Sequence, residues 1–230
     1  MSDYPSLKDL KAKGVKLLVF DLDGTLLDSM NVWNKVDIDF LGRYGYEVTP
    51  DYTDFVKRAS IDEAALYTQK RYRIPLSPSE IIAEWDKMVI GFYKNEVELK
   101  PGVRAYLDDA KRLGFQLGVA TALTRNNAVS ALVKNNILSI FEAVITLEDV
   151  GKKIDKSSPD IFLKVLNYVN ARGTSITPSQ TLVFDDVQAA AAGARNGGFL
   201  TCAVYDEIGC GDPGKWESFA AECDYSVREF

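Results

Sequence analysis

The chain has 230 residues, of which 47% are apolar and 26% charged, values that are typical of soluble globular proteins. This length allows one large domain or a core domain with an insert. The net charge of −6 argues against sequence-independent nucleic-acid binding, which needs a basic surface. Because the chain has no histidine, it excludes a Ser-His-Asp or Cys-His catalytic group and a zinc site with histidine ligands.

No apolar run reaches the length of a membrane span, and the first residues lack the pattern of a signal peptide. We therefore expect a cytoplasmic protein without a membrane or nucleic-acid partner, present as a monomer or a weak homodimer. The cysteines lack C-x-x-C spacing and are expected to be reduced thiols in that compartment. They are Cys202, Cys210 and Cys223.

The first elements are a short polar helix or tail at residues 2–13 and a strand at residues 15–20, which is apolar on both faces. The next segment shows helical spacing without a strand pattern. Helix starts are predicted at Thr49-Pro50 and at two capping boxes, Ser60–Glu63 and Ser77–Glu80. One apolar helical stripe consists of Trp33, Val36, Phe40 and Tyr44.

From Pro101 onward helices and strands alternate, which is typical of a parallel sheet covered by helices on both sides. The predicted helices cover residues 103–113, 125–135, 158–171 and 188–195. The predicted strands cover residues 115–120, 143–146, 181–184 and 199–204. We therefore expect an α/β fold, a Rossmann-like parallel sheet core at residues 1–27 and 98–230, with an inserted all-helical cap domain at residues 28–97.

Two carboxylates, Asp21 and Asp23, directly follow the first strand. Residues two apart in an extended chain point to the same side, so their like charges would favour a bound cation. Other strand ends carry compatible groups, since Thr121 follows the second core strand and Asp185-Asp186 follows a later one. Carboxyl ends of parallel strands meet at one edge of a sheet. Together with Lys156, which precedes a predicted helix start, these groups form a set suited to phosphoryl transfer.

The order and spacing resemble the haloacid dehalogenase superfamily of phosphohydrolases, in the branch that has a helical cap after the first motif. That branch contains β-phosphoglucomutase-like and phosphoglycolate-phosphatase-like members. The residues that carry the resemblance are Asp21–Leu26 with Asp28-Ser29, Val119–Thr121, Lys156–Phe162, and Val183–Asp186 through Ala192–Ala194. Ser157 stands where a proline is common in the family.

The resemblance implies that Asp21 attacks phosphorus and forms an aspartyl-phosphate. Asp23 would protonate the leaving oxygen and later deprotonate the attacking water. Mg²⁺ would be held by Asp21, by the backbone carbonyl of Asp23 and by Asp186, while Asp185 would assist these ligands.

The resemblance also implies that Thr121 and Lys156 bind the oxygens of the transferring phosphoryl group. Lys152 and Lys153 are nearby alternatives for the lysine. Lys156 is preferred because the residues that follow it, Pro159–Phe162, have the spacing of the family motif. Asp28 is interpreted as a cap or hinge residue rather than a catalytic one. Candidate substrate contacts are Thr121, Arg125 and Arg58.

Two other motifs in the sequence do not indicate binding sites. An EF-hand calcium loop needs glycine at its sixth position and glutamate at its twelfth, and the loop that begins at Asp21 has neither. Residues 209–214 match G-x-G-x-x-G, but only sixteen residues follow them, too few for a dinucleotide-binding unit. This segment is therefore predicted to be a loop.

The sequence predicts a Mg²⁺-dependent phosphatase of a small phosphorylated metabolite, such as a sugar phosphate. A β-phosphoglucomutase-like phosphomutase is the alternative; a rough alignment places Ile61 where such mutases carry a cap arginine, and Arg58 is close. Dehalogenation is disfavoured, because that branch lacks the second carboxylate that Asp23 provides. A catalytically silent metal-dependent binding module would need a broken motif, and none is visible.

Overall fold

The computed structural model describes residues 5–56, 59, 61–151, 155–210 and 213–230. The chain divides into two compact units, residues 1–30 with 97–230 and residues 31–96. That the second unit works as a cap stays a prediction. Among the residues described, none of the helices combines the length and the apolar character needed to cross a bilayer.

Within the described part of the first unit, six strands form one parallel sheet in the order β3-β2-β1-β4-β5-β6. The strands are β1 (Leu17–Phe20), β2 (Gln116–Thr121), β3 (Ala143–Thr146), β4 (Thr181–Asp185), β5 (Leu200–Val204) and β6 (Tyr225–Val227). The sheet and its helices confirm the predicted α/β, Rossmann-like fold.

The helices of the first unit are α1 (Leu7–Ala12), α6 (Val103–Arg112), α7 (Arg125–Lys134), α8 (Leu147–Val150), α9 (Asp160–Asn170), α10 (Gln188–Asn196), α11 (Glu207–Cys210) and α12 (Pro213–Glu222). Short 3₁₀ turns lie at Leu138–Ile140 and Pro178–Gln180.

The central strand β1 is buried on both faces, as its apolar sequence predicts. On one face, Leu17 and Val19 pack into a core cluster with residues of α9 and α10. On the other face, the ring of Phe20 stacks on Phe184 of β4 with centroids 4.5 Å apart, and Tyr106 of α6 meets both rings edge-on. Both faces of the sheet are therefore covered, and the polar groups lie at its carboxyl edge.

The described part of the second unit contains helices and connecting turns but no strand. Its helices are α2 (Val32–Gly42), α3 (Pro50–Val56), α4 (Ile61–Tyr72) and α5 (Pro78–Asn95). Helix α5 begins with the predicted capping box, since the Ser77 hydroxyl accepts the Glu80 N–H and the Glu80 carboxylate accepts the Ser77 N–H. Phe40 of α2 meets Trp85 of α5 edge-on at 5.8 Å, which packs these two helices together.

Several expectations from the sequence need correction. Trp33 lies on the exposed side of α2, with 49% of its surface accessible, whereas the buried face carries Val32, Val36 and Phe40. Helix α9 begins at Asp160, later than the start predicted at Ser158-Pro159. The segment after β5 also contains α12 and β6, neither of which the sequence pattern predicts. The proposed cap at Ser60 lies outside the described residues.

Candidate active site

The site is built at the carboxyl edge of the sheet, where three neighbouring strands end. Strands β1 and β4 pair in register, with Phe20 opposite Phe184, so Asp21 and Asp185 leave the sheet side by side. Thr121 is the last residue of β2, which pairs with β1 on its other side. The parallel topology therefore brings together residues that are far apart in the sequence.

Three of the predicted metal ligands, Asp21, Asp185 and Asp186, form a buried acidic cluster. Each offers a carboxylate oxygen, and these oxygens all lie within 4.8 Å of one another. Burial, followed by the charges of Asp21 and Asp185, raises the pKa of Asp186 to about 8. Three carboxylates this close in a buried site favour a bound cation.

Lys156 places a positive charge beside the acidic cluster. Its Nζ atom lies 2.7 Å from Asp21 Oδ1 and 2.5 Å from Asp185 Oδ2, and its side chain is 11% exposed. Burial by itself lowers the pKa of Lys156, but the carboxylates of Asp185 and Asp21 outweigh it and raise that pKa above its ordinary value. Burial raises the pKa of Asp185 to about 6 even though Lys156 opposes the shift. Lys156 is therefore a fixed cation beside Asp21.

Asp23 lies outside the acidic cluster. Its Oδ1 atom accepts a hydrogen bond of 2.5 Å from the hydroxyl of Ser29, which is buried. Asp28, the residue next to Ser29 and the one favoured as a cap or hinge, is exposed. The geometry thus separates Asp23 from the acidic cluster and gives it a different polar partner.

The turn after Asp23 packs tightly on Asp186. Gly24 has a φ of +70°, and a Cβ atom built there would lie 2.3 Å from Asp186 Oδ2, so only glycine fits. Thr25 donates a hydrogen bond of 3.4 Å from Oγ1 to Asp186 Oδ1. This close approach of the main chain fixes one side of the acidic cluster.

Thr121 is buried, and its Oγ1 atom accepts the N–H of Leu123 at 3.2 Å. A hydroxyl that accepts this bond can still donate its own proton to an anion. The following helix α7 is capped by Thr124, whose hydroxyl accepts the N–H of Asn127 at 3.3 Å. Thr121 therefore lies before the helix start and does not cap it.

A cavity of about 390 Å³ opens over these groups. All four predicted catalytic residues line it, two of which are also predicted metal ligands, together with a third predicted ligand. They are Asp21, Asp23, Thr121, Lys156 and Asp186. Apolar side chains also contribute to the lining, from Met30, Leu147 and Val187. A cavity of this size and mixed chemistry suits a small charged ligand.

One predicted substrate contact, Arg125, is not brought to this cavity. The guanidinium of Arg125 lies 2.6 Å from Asp149 Oδ2 and donates to the Val144 carbonyl oxygen, and Arg125 is not among the residues that line the cavity. Arg58 lies outside the described residues, as do the alternative lysines Lys152 and Lys153.

The donor set of the acidic cluster fits a hard divalent cation. Its ligand atoms are carboxylate oxygens, which Mg²⁺ prefers, and the chain has no histidine to favour a softer metal. Gly24 leaves the main chain close to Asp186 without a side chain that would fill the space.

The chain is similar to proteins of one hydrolase family over most of its length. Residues 18–204 match the family model described as haloacid dehalogenase-like hydrolase. Protein CbbY of Rhodobacter capsulatus is 29% identical over 86% of this chain and 88% of its own length. The validoxylamine A 7'-phosphate phosphatase of Streptomyces hygroscopicus subsp. limoneus is 25% identical over 80% of this chain and 83% of its own length.

Solved structures share the fold. A Thermotoga maritima protein that is provisionally named a beta-phosphoglucomutase superposes with a TM-score of 0.80 at 20% identity, over 93% of this chain and 94% of its own. CbbY from Rhodobacter sphaeroides in complex with xylulose-(1,5)bisphosphate gives a TM-score of 0.68 at 18% identity, over 94% of both chains.

Proposed function

Because the chain belongs to the haloacid dehalogenase-like hydrolase family, as its motifs predict, we propose that it is a Mg²⁺-dependent phosphatase. Its substrate is a small phosphorylated metabolite such as a sugar phosphate. The reaction passes through an aspartyl-phosphate on Asp21. The predicted class of enzyme, a hydrolase, agrees with this membership.

The observation that carries the proposal is the environment of the Asp21 carboxylate. Asp21 faces the Lys156 ammonium at 2.7 Å, belongs to a three-carboxylate cluster and lines the same cavity as Asp23 and Thr121. Phosphoryl transfer depends mainly on positioning and on neutralising charge at the transferring oxygens. A nucleophile, a fixed cation and a hydroxyl around one cavity support that chemistry.

In the first step, a carboxylate oxygen of Asp21 bonds to phosphorus while the bond from phosphorus to the leaving oxygen breaks. Asp23 gives its proton to that oxygen, and the alcohol departs. In the second step, a water molecule attacks phosphorus and gives a proton to Asp23, while the bond from phosphorus to Asp21 breaks. Inorganic phosphate leaves, and both aspartates return to their starting states.

Asp21, Asp186 and the backbone carbonyl of Asp23 would hold Mg²⁺, with Asp185 supporting them. When bound, the ion neutralises negative charge on the phosphoryl oxygens. Lys156 and Thr121 contribute a positive charge and a hydroxyl donor to the same oxygens. The raised pKa of Asp186 supports this assignment, because burial and the charges of Asp21 and Asp185 disfavour its ionised form, which a bound cation would stabilise.

The proposed class of substrate is supported by the size of the cavity and by the relatives. One relative is named for validoxylamine A 7'-phosphate, and one solved structure holds xylulose-(1,5)bisphosphate; both are small phosphorylated molecules. A volume of about 390 Å³ is compatible with a ligand of that size.

The test is phosphate release from 4-nitrophenyl phosphate and from a panel of phosphorylated metabolites, with and without Mg²⁺. We expect Asp21→Asn to lower kcat by roughly 10³-fold or more. Asp9→Asn, the same change at an exposed position of α1, is the control and should keep full activity. An active Asp21→Asn enzyme would contradict the assignment of the nucleophile.

Conversion of β-glucose 1-phosphate to glucose 6-phosphate, without release of phosphate, would indicate a phosphomutase instead.

A further inference from the structure

Lys100 forms a buried polar bridge that the proposed chemistry does not use. Its Nζ atom lies 2.5 Å from the Gly24 carbonyl oxygen, 2.8 Å from the Tyr205 carbonyl oxygen and 2.9 Å from Asp206 Oδ2. The side chains of Lys100 and Asp206 are 16% and 7% exposed. We call this set of contacts the Lys100 bridge. It joins two segments that are far apart in the sequence.

Both joined segments lie against the same carboxylate, that of Asp186. On one side is the turn at Gly24, where an added Cβ atom would lie 2.3 Å from Asp186 Oδ2. On the other side is Gly209, where an added Cβ atom would lie 3.1 Å from the same oxygen. The Asp186 carboxylate is therefore enclosed between two stretches of main chain.

The second stretch is held in shape by Asp206. Its Oδ1 atom accepts the N–H groups of Ile208 at 3.0 Å and Gly209 at 2.9 Å, while its Oδ2 atom faces Lys100. The same carboxylate therefore orders the segment that contacts Asp186 and connects it to the Lys100 bridge.

The position of Lys100 is itself determined by main-chain hydrogen bonds. The N–H of Lys100 donates to the Leu26 carbonyl oxygen at 2.9 Å, and the N–H of Asp28 donates to the Glu98 carbonyl oxygen at 3.0 Å. This pairing places the lysine beside the turn that carries Gly24. The main chain that carries the Lys100 ammonium is thus hydrogen-bonded to the segment that follows Gly24.

We propose that Lys100 is a positioning residue for the acidic cluster, because it ties the Gly24 turn to the Asp206–Gly209 segment and thereby fixes the Asp186 carboxylate for metal binding. The inference rests on the proposed metal site. Lys100 neither lines the cavity nor belongs to the acidic cluster, so it acts through the segments around Asp186. An ion pair that only stabilised the fold would leave metal affinity unchanged.

The test is direct binding of Mn²⁺, followed by loss of the electron paramagnetic resonance signal of the free ion and competed with Mg²⁺. Lys100→Met should raise the Kd for Mn²⁺ by roughly tenfold, the lower end of the range for residues that orient metal ligands. Lys100→Arg keeps a charged donor and should recover most of the affinity. Lys111→Met removes a more exposed ion pair with Glu142, away from the acidic cluster, and should leave the Kd unchanged.

A Kd for Lys100→Met within twofold of that of the unaltered protein would overturn the proposal, whatever the change in Tm. If Lys100→Met does not fold, Lys100→Gln keeps one donor without the charge, and its Kd decides in the same way. Absence of Mn²⁺ binding to the unaltered protein would instead overturn the metal site on which the proposal rests, so the two failures are distinguishable.

Discussion

Gly193 of α10 packs directly against the main chain that carries Lys156. A Cβ atom built at Gly193 would lie 2.3 Å from the Lys156 carbonyl oxygen and 2.6 Å from the carbonyl carbon of Ser157, distances that real Cβ atoms do not show. Any side chain at position 193 must therefore push this segment away. The same segment places the ammonium of Lys156 2.7 Å from Asp21.

We expect Gly193→Ala to lower kcat by about tenfold or more, because a shift of about 1 Å in a catalytic group can cost a factor of 10². Overpacking should also lower the free energy of unfolding by about 1–3 kcal/mol. Steady-state kinetics and urea unfolding measure the two effects. Gly91→Ala in α5 is the control, since nothing lies within 4 Å of its built Cβ atom. Full activity of Gly193→Ala would show that the position of Lys156 does not depend on this packing.

Asp186, a proposed metal ligand, is expected to destabilise the protein when no cation is bound. Burial and the neighbouring carboxylates of Asp21 and Asp185 raise its pKa to about 8, which means that its charged form is disfavoured. Asp186→Asn should therefore raise the free energy of unfolding in excess chelator, by about 1–3 kcal/mol. The variant should also lose activity and any increase of Tm caused by Mg²⁺.

The unaltered protein should gain stability with Mg²⁺ by mass action, about 3 kcal/mol at a concentration one hundred times the Kd. Thermal unfolding of both proteins, in chelator and in Mg²⁺, checks this prediction. Asp9→Asn is again the matched exposed control. A variant at position 186 that is less stable in chelator, or that still responds to Mg²⁺, would refute it.

The carboxyl edge of the sheet could be predicted from the sequence because parallel topology is a strong constraint. Asp21, Thr121 and Asp185 each lie at the end of an apolar run, and such runs end at the same edge. Strand β6 could not be predicted in this way, because three residues are too few to show a period. The helical spacing of Trp33 was misleading, since spacing alone does not say which face a helix buries.

Contacts that depend on turn geometry could not be predicted from the sequence either. Lys100 and Asp206 are separated by more than one hundred residues, and no pattern links a linker lysine to a carboxylate after β5. The packing of Gly193 on Lys156 likewise depends on the approach of one loop to one helix. The candidate catalytic groups at strand ends are thus predictable, whereas the residues that pack around them can be identified only from the structure.

The second unit contains a buried titratable network of its own. Asp37 of α2 accepts a hydrogen bond of 3.0 Å from the hydroxyl of Tyr52 in α3, which also lies 2.9 Å from Thr68 Oγ1 in α4. Burial raises the pKa of Asp37 from 3.8 to about 6, and the bond from Tyr52 only partly opposes this rise. The network connects three helices through a carboxyl group that is costly to ionise.

At a pH between 3.8 and about 6, Asp37 is protonated in the folded protein but ionised in the unfolded chain. This contribution to stability therefore falls as the pH rises from about 4 to about 6, and it stays low above that range.

Asp37→Asn keeps an acceptor for Tyr52 but does not titrate. Relative to the unaltered protein it should be about 2–3 kcal/mol more stable near pH 7 and little changed near pH 4. Urea unfolding at the two pH values measures the difference, with the exposed Asp39→Asn as control. A difference independent of pH would contradict the assignment.

Ser29 orients Asp23 through the hydrogen bond of 2.5 Å between its hydroxyl and Asp23 Oδ1. If Asp23 protonates the leaving oxygen, Ser29→Ala should lower kcat/KM, which reports the steps up to the aspartyl-phosphate, by roughly tenfold for an alkyl phosphate. The effect should be smaller for 4-nitrophenyl phosphate, because its leaving group departs with little need for a proton. In an Asp23→Asn background, Ser29→Ala should have no further effect, since the partner that it positions is no longer an acid. An equal loss with both leaving groups would show that Ser29 supports the fold of the turn and does not serve proton transfer.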